Sequence, residues 1–317
     1  MYKRIIKPQI EQDISSQSNK IIILYGPRQV GKTTLVKEII YNRPNTLSVN
    51  ADQLIYNDIF SSRDLKKMQE LIGSNTLLFI DEAQNIRDIG INLKILHDEM
   101  PNLRIIVTGS SSFELANKVQ EPLTGRTKTY RLYPISAQEI IEKTSVFDFK
   151  NQIEPLLIYG MYPEILGTLG SVEKIDRLNE LTSTYLYKDI LQLSGIKHAD
   201  KIRKLLQMLA FQIGSTVSIN EIARALEMSQ ETVANYIDLL EKGFIIFKLT
   251  GFSGNLRKEV VKMNKIYFYD LGVRNNIINN FNPISMRNDI GMLWENFLIL
   301  ERMKKNQYHR IRINTYF

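Results

Sequence analysis

The stretch Gly26-Pro27-Arg28-Gln29-Val30-Gly31-Lys32-Thr33 has the form G-x-x-x-x-G-K-[ST], and it constrains the chain more than any other feature. It follows an apolar run, Ile21-Ile22-Ile23-Leu24-Tyr25, and precedes residues 32–41, where Leu35, Val36, Ile39 and Ile40 recur at helical spacing. A strand that turns tightly into a helix leaves the first N–H groups of the helix without intrahelical partners, and glycines let the turn aim those groups inward. The expected product is a phosphate cradle made by Gly26, Pro27, Arg28, Gln29, Val30, Gly31, Lys32, Thr33 and Thr34. Lys32 is positioned to neutralise the β and γ phosphates of ATP, and the Thr33 hydroxyl to ligand Mg2+.

Such a site also needs a carboxylate at the end of a neighbouring strand. Leu77-Leu78-Phe79-Ile80 leads directly into Asp81-Glu82. Asp81 is expected to hold the magnesium through water, and Glu82 to orient and polarise the attacking water. Two adjacent carboxylates at the end of a buried strand are costly in a purely structural role. A further strand ends in Val107-Thr108-Gly109-Ser110-Ser111, where a hydroxyl is expected to sense the γ phosphate; Thr108 and Ser110 are both open for that role. Asn50, after the second strand, is a candidate to hydrogen-bond Glu82 and restrain it. Arg126, just before the last strand, is a candidate to reach the γ phosphate of a neighbouring subunit, against the plainer reading of a surface arginine.

Apolar runs at 21–25, 46–49, 77–80, 104–107 and 129–132 alternate with helical spacing, the rhythm of a parallel sheet covered by helices. The fold class expected is therefore α/β, a P-loop NTPase sheet sandwiched by helices, in a first domain at 1–135. Helical spacing then takes over through residues 136–214, with a loop expected at Gly160-Met161-Tyr162-Pro163. In residues 215–255 a capping box at Ser218 opens a short helix, Met228-Ser229 makes a turn, and 230–242 forms a second helix before an apolar strand at 244–249. Helix, turn, helix and hairpin is a winged-helix pattern. Residues 256–317 form a last segment, with a helix expected at 292–305 and a strand beginning at 311–317.

No run approaches the length of a membrane span, and the chain has no cysteine, which points to a cytoplasmic protein without disulfides or thiolate metal sites. The net charge of +7 is concentrated: residues 255–317 hold eleven Lys or Arg against five Asp or Glu. This clustering is either an electrostatic footprint for DNA phosphates or a solvated basic face. The second helix of the winged-helix pattern carries Glu231, Asp238 and Glu241 beside Gln230, Thr232 and Asn235, a balance that suits packing better than base reading.

Read in order, the P-loop, Ile80-Asp81-Glu82-Ala83-Gln84, Thr108-Gly109-Ser110-Ser111, Leu123-Thr124-Gly125-Arg126 and Leu132-Tyr133-Pro134-Ile135-Ser136 resemble the AAA+ ATPases of bacteria and archaea that carry a C-terminal domain of unknown function. Tyr159-Gly160-Met161-Tyr162-Pro163-Glu164, Tyr185-Leu186-Tyr187-Lys188-Asp189-Ile190 and Gly291-Met292-Leu293-Trp294-Glu295-Asn296-Phe297 extend the likeness over nearly the whole chain. The resemblance implies an AAA+ core of strand order 5-1-4-3-2, a helical lid at 136–214, a winged helix, and a terminal module similar to restriction-endonuclease folds in which Glu295 matches an acidic helix residue. The family continues with further acidic residues past the point where this sequence stops, so a nuclease is not expected of these residues alone. Arg177 is the candidate for a lid arginine. The expected activity is hydrolysis of ATP with Mg2+, coupled to domain movement and to DNA or a protein partner, in a homo-oligomer. A slow nucleotide-gated switch or a DNA-binding regulator is the alternative.

Overall fold

The computed structural model describes residues 2–110, 123–183, 199–252, 264–313 and 315–316. Ser111, the Tyr185–Ile190 motif and the basic residues Arg257, Lys258 and Lys262 lie outside the described residues. The chain divides into two compact units, Lys3–Leu132 and the residues from Tyr133 onward.

The first unit runs α1 (Lys7–Ser15), β1 (Ile21–Tyr25), α2 (Lys32–Ile40), β2 (Thr46–Asn50), α3 (Leu54–Ser61), α4 (Leu65–Ile72), β3 (Leu77–Asp81), α5 (Ile89–Glu99), β4 (Arg104–Gly109) and β5 (Thr127–Arg131). The strands form one parallel sheet in the order β2-β3-β4-β1-β5. Composition dictates this order. β1 and β3 are buried along their whole length, as their unbroken apolar runs require. β2 (Thr-Leu-Ser-Val-Asn) and β5 (Thr-Lys-Thr-Tyr-Arg) carry polar side chains and take the two edges. For the same reason β5 starts at Thr127, before the apolar part of its sequence. The register sets Tyr25 beside Gly109 and Ile80 beside Val107, so the P-loop, Asp81 and Thr108 converge at the carboxyl ends of the central strands.

Among its described residues the second unit is helical apart from one ribbon. It comprises α6 (Ala137–Lys143), α7 (Val146–Tyr159), α8 (Pro163–Gly167), α9 (Ser171–Glu180), α10 (Ala199–Phe211), α11 (Ile219–Ala225), α12 (Gln230–Lys242), β6 (Ile246–Thr250), β7 (Asn264–Phe268), α13 (Leu271–Ile277) and α14 (Ile290–Tyr308). Serines cap four of these helices, Ser145 among them by accepting from the Asp148 N–H at 3.0 Å. Ser136 forms a full capping box with Glu139, Ser218 accepts from the Glu221 N–H, and Ser229 from that of Thr232. β6 pairs antiparallel with β7, from Ile246↔Phe268 to Thr250↔Asn264. Glu241 pairs with Lys248 and Asp238 with Lys242, so two of the three acidic groups on α12 have cationic partners.

Of the eight described basic residues at 255–317, three are internal and so belong neither to a footprint for phosphates nor to a solvated basic face. Lys304 is fully buried and donates to the Ile135 carbonyl at 3.0 Å and to Glu301 at 2.7 Å. Arg274 and Arg287 clasp Asp289 from two sides, and both donate to Asn275 Oδ1. Asn275 in turn donates to the Leu157 and Ile158 carbonyls at 2.9 and 2.8 Å, and Arg274 Nε to the Ala210 carbonyl at 2.8 Å, so one polar knot ties α7, α10 and α13 together. Burial pushes the Asp289 carboxyl up, but the hydrogen bonds from Arg287 and Arg274 outweigh it and hold the group at about 2.

Asp270 caps α13 and accepts from the Met161 N–H at 2.7 Å. The contact is close enough that a Cβ on Gly160 would lie 2.0 Å from its Oδ1, and one on Gly272 would lie 2.0 Å from the Tyr159 carbonyl oxygen. Here the Tyr-Gly-Met-Tyr-Pro motif is a packing device. Desolvation raises the Asp270 carboxyl to about 6 against three backbone donors that favour its charge. Glu295 accepts from Tyr267 at 2.7 Å and pairs with Lys265 at 3.1 Å. Among the described residues 311–313 and 315–316, the strand expected at 311–317 does not form. No described helix is long and apolar enough to cross a membrane.

Candidate nucleotide site

The P-loop begins where β1 ends. Gly26 passes so near β5's exit that a Cβ there would sit 2.0 Å from the Leu132 carbonyl oxygen, so no side chain fits without moving backbone. Gln29 has φ 57°, and Gly31 takes the left-handed conformation, φ 92°, as N-cap of α2. Val30 is buried, and its carbonyl accepts from the buried Arg4 guanidinium at 2.9 Å, a brace from the N-terminal segment that sequence reasoning missed. Lys32 is buried in the first turn of α2 and donates its Nζ to the Gly26 and Pro27 carbonyls at 3.0 and 2.7 Å. Arg28 lies at the loop's crown and Thr34 in the first turn of the helix.

Thr33, on the same turn, faces β3. Its hydroxyl donates to both oxygens of Asp81, at 3.0 and 2.9 Å. Asp81 also accepts from Thr108 Oγ1 on the adjacent β4, and Thr108 Oγ1 accepts from the Glu82 N–H at 3.3 Å. Three elements that are far apart in sequence therefore meet on one carboxylate. A hydroxyl and a carboxylate sharing one spot are oxygen donors of the kind a small divalent cation takes when phosphates and water complete its shell.

Glu82 lies at the turn out of β3 with φ 52° and ψ 42°, a left-handed conformation that non-glycine residues adopt only where surrounding structure imposes it. The turn leads into a short 3-10 helix, Ala83–Asn85, which brings Gln84 back onto the Glu82 side chain. Gln84 Nε2 donates to Glu82 Oε2 and to Ser110 Oγ, the latter at 3.1 Å, and the Ser110 N–H donates to Gln84 Oε1 at 3.4 Å. Gln84 was overlooked at the level of sequence, although it completes the Asp-Glu-Ala-Gln run. Only the chain's reversal at Glu82 makes it part of the site. Asn50 pairs in register with Asp81, yet its side chain accepts from the Asp52 N–H at 2.9 Å and does not donate to Glu82.

Arg126 lies at the opposite end of the strands, where β5 begins beside the start of β1. Its carbonyl accepts from the N–H of Ile21, the first residue of β1, which puts it roughly 17 Å from the P-loop at about 3.3 Å per strand residue. Its guanidinium makes a two-point pair with Asp98 on α5, at 2.8 and 3.1 Å. Those bonds, with help from His97, hold the Asp98 carboxyl at about 2 and raise the Arg126 pKa. In the second unit Arg177 pairs with Glu164 on the surface.

Residues 18–141 match a family described as an AAA domain, and residues 150–283 match a domain of unknown function. An uncharacterized protein of Methanocaldococcus jannaschii is 29% identical over 310 residues, covering 85% of this chain and 65% of that one. An uncharacterized protein of Mycobacterium tuberculosis is 27% identical over 283 residues, covering 88% and 61%. The chain thus spans less than two thirds of the length of these two relatives. A replication factor C small subunit of Methanothermobacter thermautotrophicus is 26% identical over 218 residues, covering 63% of this chain and 66% of that subunit. Among solved structures, a Walker-type ATPase of Pyrococcus abyssi superposes with a TM-score of 0.60 at 15% identity, covering 88% of this chain and 96% of that one.

Proposed function

We propose that this chain, which carries an AAA-type P-loop NTPase domain and binds nucleotide through it, hydrolyses ATP with Mg2+. The observation that carries the reading is the meeting of Thr33, Asp81 and Glu82 at the carboxyl ends of β1 and β3. Lys32 and the P-loop N–H groups would hold the β and γ phosphates, and Thr33 with Asp81 would hold Mg2+, which would supply positive charge to offset that of the phosphates. Glu82 then orients a water in line with the γ phosphorus and accepts its proton as the P–O bond breaks, giving ADP and phosphate.

The sensor role falls to Ser110 by a count of protons. A threonine hydroxyl has one, and that of Thr108 is committed to Asp81. Ser110 Oγ accepts from Gln84, so its own proton is available to a γ-phosphate oxygen. Single-turnover hydrolysis tests the reading: Glu82→Gln is expected to lower the rate by about 10²- to 10⁴-fold while nucleotide still binds. An unchanged rate would leave a slow nucleotide-gated switch in its place.

Arg126 is assigned to a neighbouring copy's γ phosphate, since its place at the amino ends of the strands sets it away from its own. Hydrolysis per chain should then rise with protein concentration. For the second unit we take residues 136–214 as a lid, and α11, α12 and the β6–β7 ribbon as a winged helix. Nucleotide state shifts both. The α11–turn–α12 arrangement favours DNA as a partner, contacted through phosphates by exposed Arg302, Lys305, Arg310 and Arg312. Charge reversal at Arg302 and Lys305 should then weaken DNA binding and flatten its salt dependence; Lys304, being buried, is not a test of this surface.

A further inference from the structure

Glu82 needs one carboxylate oxygen to accept a proton from water, and the side chain must be held while it does so. Neither Asp81 nor Asn50 holds it: Asp81 is itself an acceptor, engaged by two hydroxyls, and among the described residues the Asn50 side chain bonds the Asp52 N–H through Oδ1 and makes no hydrogen bond to Glu82. The group that touches the Glu82 carboxylate is the amide of Gln84. We propose that Gln84 is a positioning residue that aims Glu82 and couples it to Ser110. This rests on the reading of Glu82 as the base.

The orientation of the amide follows from chemistry. A backbone N–H can only donate, so the Gln84 atom facing the Ser110 N–H is the carbonyl oxygen Oε1. Nε2 is thereby turned toward Glu82 Oε2 and Ser110 Oγ, and its two hydrogens are matched to two acceptors. A carboxylate is an acceptor and nothing else, so the only favourable group to set against it is a donor, and Nε2 is one. The reverse orientation would place Oε1 against the carboxylate and Nε2 against an N–H, two repulsions at once.

Three consequences follow from this geometry. Oε2 of Glu82 is fixed, which leaves Oε1 as the oxygen that receives the proton from water. Ser110 is gripped at both its N–H and its Oγ, so its hydroxyl proton is directed away from Gln84. A γ-phosphate oxygen that accepts this proton pulls on Ser110, and the pull reaches Glu82 through a single planar amide. The left-handed turn at Glu82 is what makes this possible, because it folds residue 84 back across residue 82.

The test compares wild type with Gln84→Glu, Gln84→Ala, Ser110→Ala and the double variant Gln84→Ala/Ser110→Ala. For each, kcat at saturating Mg-ATP, the Kd of a fluorescent ATP analogue and the melting midpoint are measured. Gln84→Glu keeps the shape and the acceptor facing Ser110 but replaces the donor facing Glu82. It is expected to lower kcat by about 10- to 100-fold, with nucleotide Kd within about twofold of wild type. Gln84→Ala and Ser110→Ala should fall in the same range, and the double variant should be no slower than the slower single one, because the two act as one unit.

A wild-type kcat in Gln84→Glu would overturn the proposal, and so would losses that multiply in the double variant. If the Gln84 variants do not fold, Ser110→Ala decides alone, and a wild-type kcat there overturns it. Glu82→Gln measured alongside separates the two levels. If it hydrolyses ATP at the wild-type rate, the proposed function fails. If it is inactive while Gln84→Glu is fully active, only the role of Gln84 fails.

Discussion

The two units bury charge in different ways. In the first, Asp81 is held by two hydroxyls and Lys32 donates to carbonyls of its own loop, both partnerships that an incoming phosphate or cation can replace. In the second, Asp289 takes charge-assisted bonds from two guanidiniums, and Lys304 pairs with Glu301 while its amine also reaches a backbone carbonyl. Those partners are rigid, ionised and internal. Burial of a charge therefore does not by itself mark a working site. What sets the first unit's cluster apart is a partner set of hydroxyls and loop carbonyls, as against the carboxylate–guanidinium and carboxylate–ammonium pairs of the second.

The largest expected effect tests that contrast directly. Asp289→Ala leaves two buried arginines without their shared counter-charge and should lower unfolding free energy by about 3–5 kcal/mol, read by urea denaturation. Trp294, the single tryptophan, reports on this unit by fluorescence. Asp81→Ala, though also a buried carboxylate, should change unfolding by less than about 1 kcal/mol while removing the Mg2+ dependence of ATP binding. Equal destabilisation by the two would erase the distinction.

Next in size is a pH effect confined to the second unit. Asp270 has a folded pKa of about 6 against an ordinary 3.8, so the unfolded chain gives up this proton first. The stability Asp270 contributes is complete below pH 3.8 and is lost as pH rises to about 6; at about 1.4 kcal/mol per pH unit this is on the order of 3 kcal/mol. Asp289, held at about 2, acts in the opposite sense: its contribution is present above 3.8 and lost as pH falls toward 2. Tryptophan-monitored unfolding should therefore show greatest stability near pH 4. Asp270→Asn should abolish the decline between pH 4 and 6 while lowering stability elsewhere, since one acceptor is lost.

Gly26→Ala should cost about 1–3 kcal/mol through the clash with the Leu132 carbonyl, and weaken ATP binding measured by calorimetry. The smallest effect is expected at the exposed Arg126–Asp98 pair. Arg126→Ala should leave the melting midpoint where it is and change ATPase rate only at protein concentrations where copies associate. A rate loss that is the same at every dilution would place Arg126 in its own subunit's chemistry.

Much of this molecule is written locally. Residues 21–33 are strand, turn and helix in immediate succession, and each part depends on its neighbours in sequence. The five strands and the capping serine at 218 were legible for that reason. The burial of Lys304, Arg274 and Arg287 was not legible, because a basic residue reads alike on a surface and inside a salt-bridged core. The same limit applies to Thr108 and Ser110. Two hydroxyls two residues apart, Thr108 within β4 and Ser110 just past its end, look alike in sequence and have different partners.

The sequence alone determined that a phosphate cradle opens a helix beside a strand ending in two carboxylates, because hydrogen-bond geometry over a dozen contiguous residues leaves few alternatives. Only the tertiary structure decided how the work beside that cradle is divided. Thr108 steadies Asp81, and Gln84 joins Ser110 to Glu82, since each assignment depends on which single proton faces which distant acceptor. It decided the fate of the basic residues in the same way. Charge is a property of a residue, but whether it meets water or a carboxylate depends on the rest of the chain.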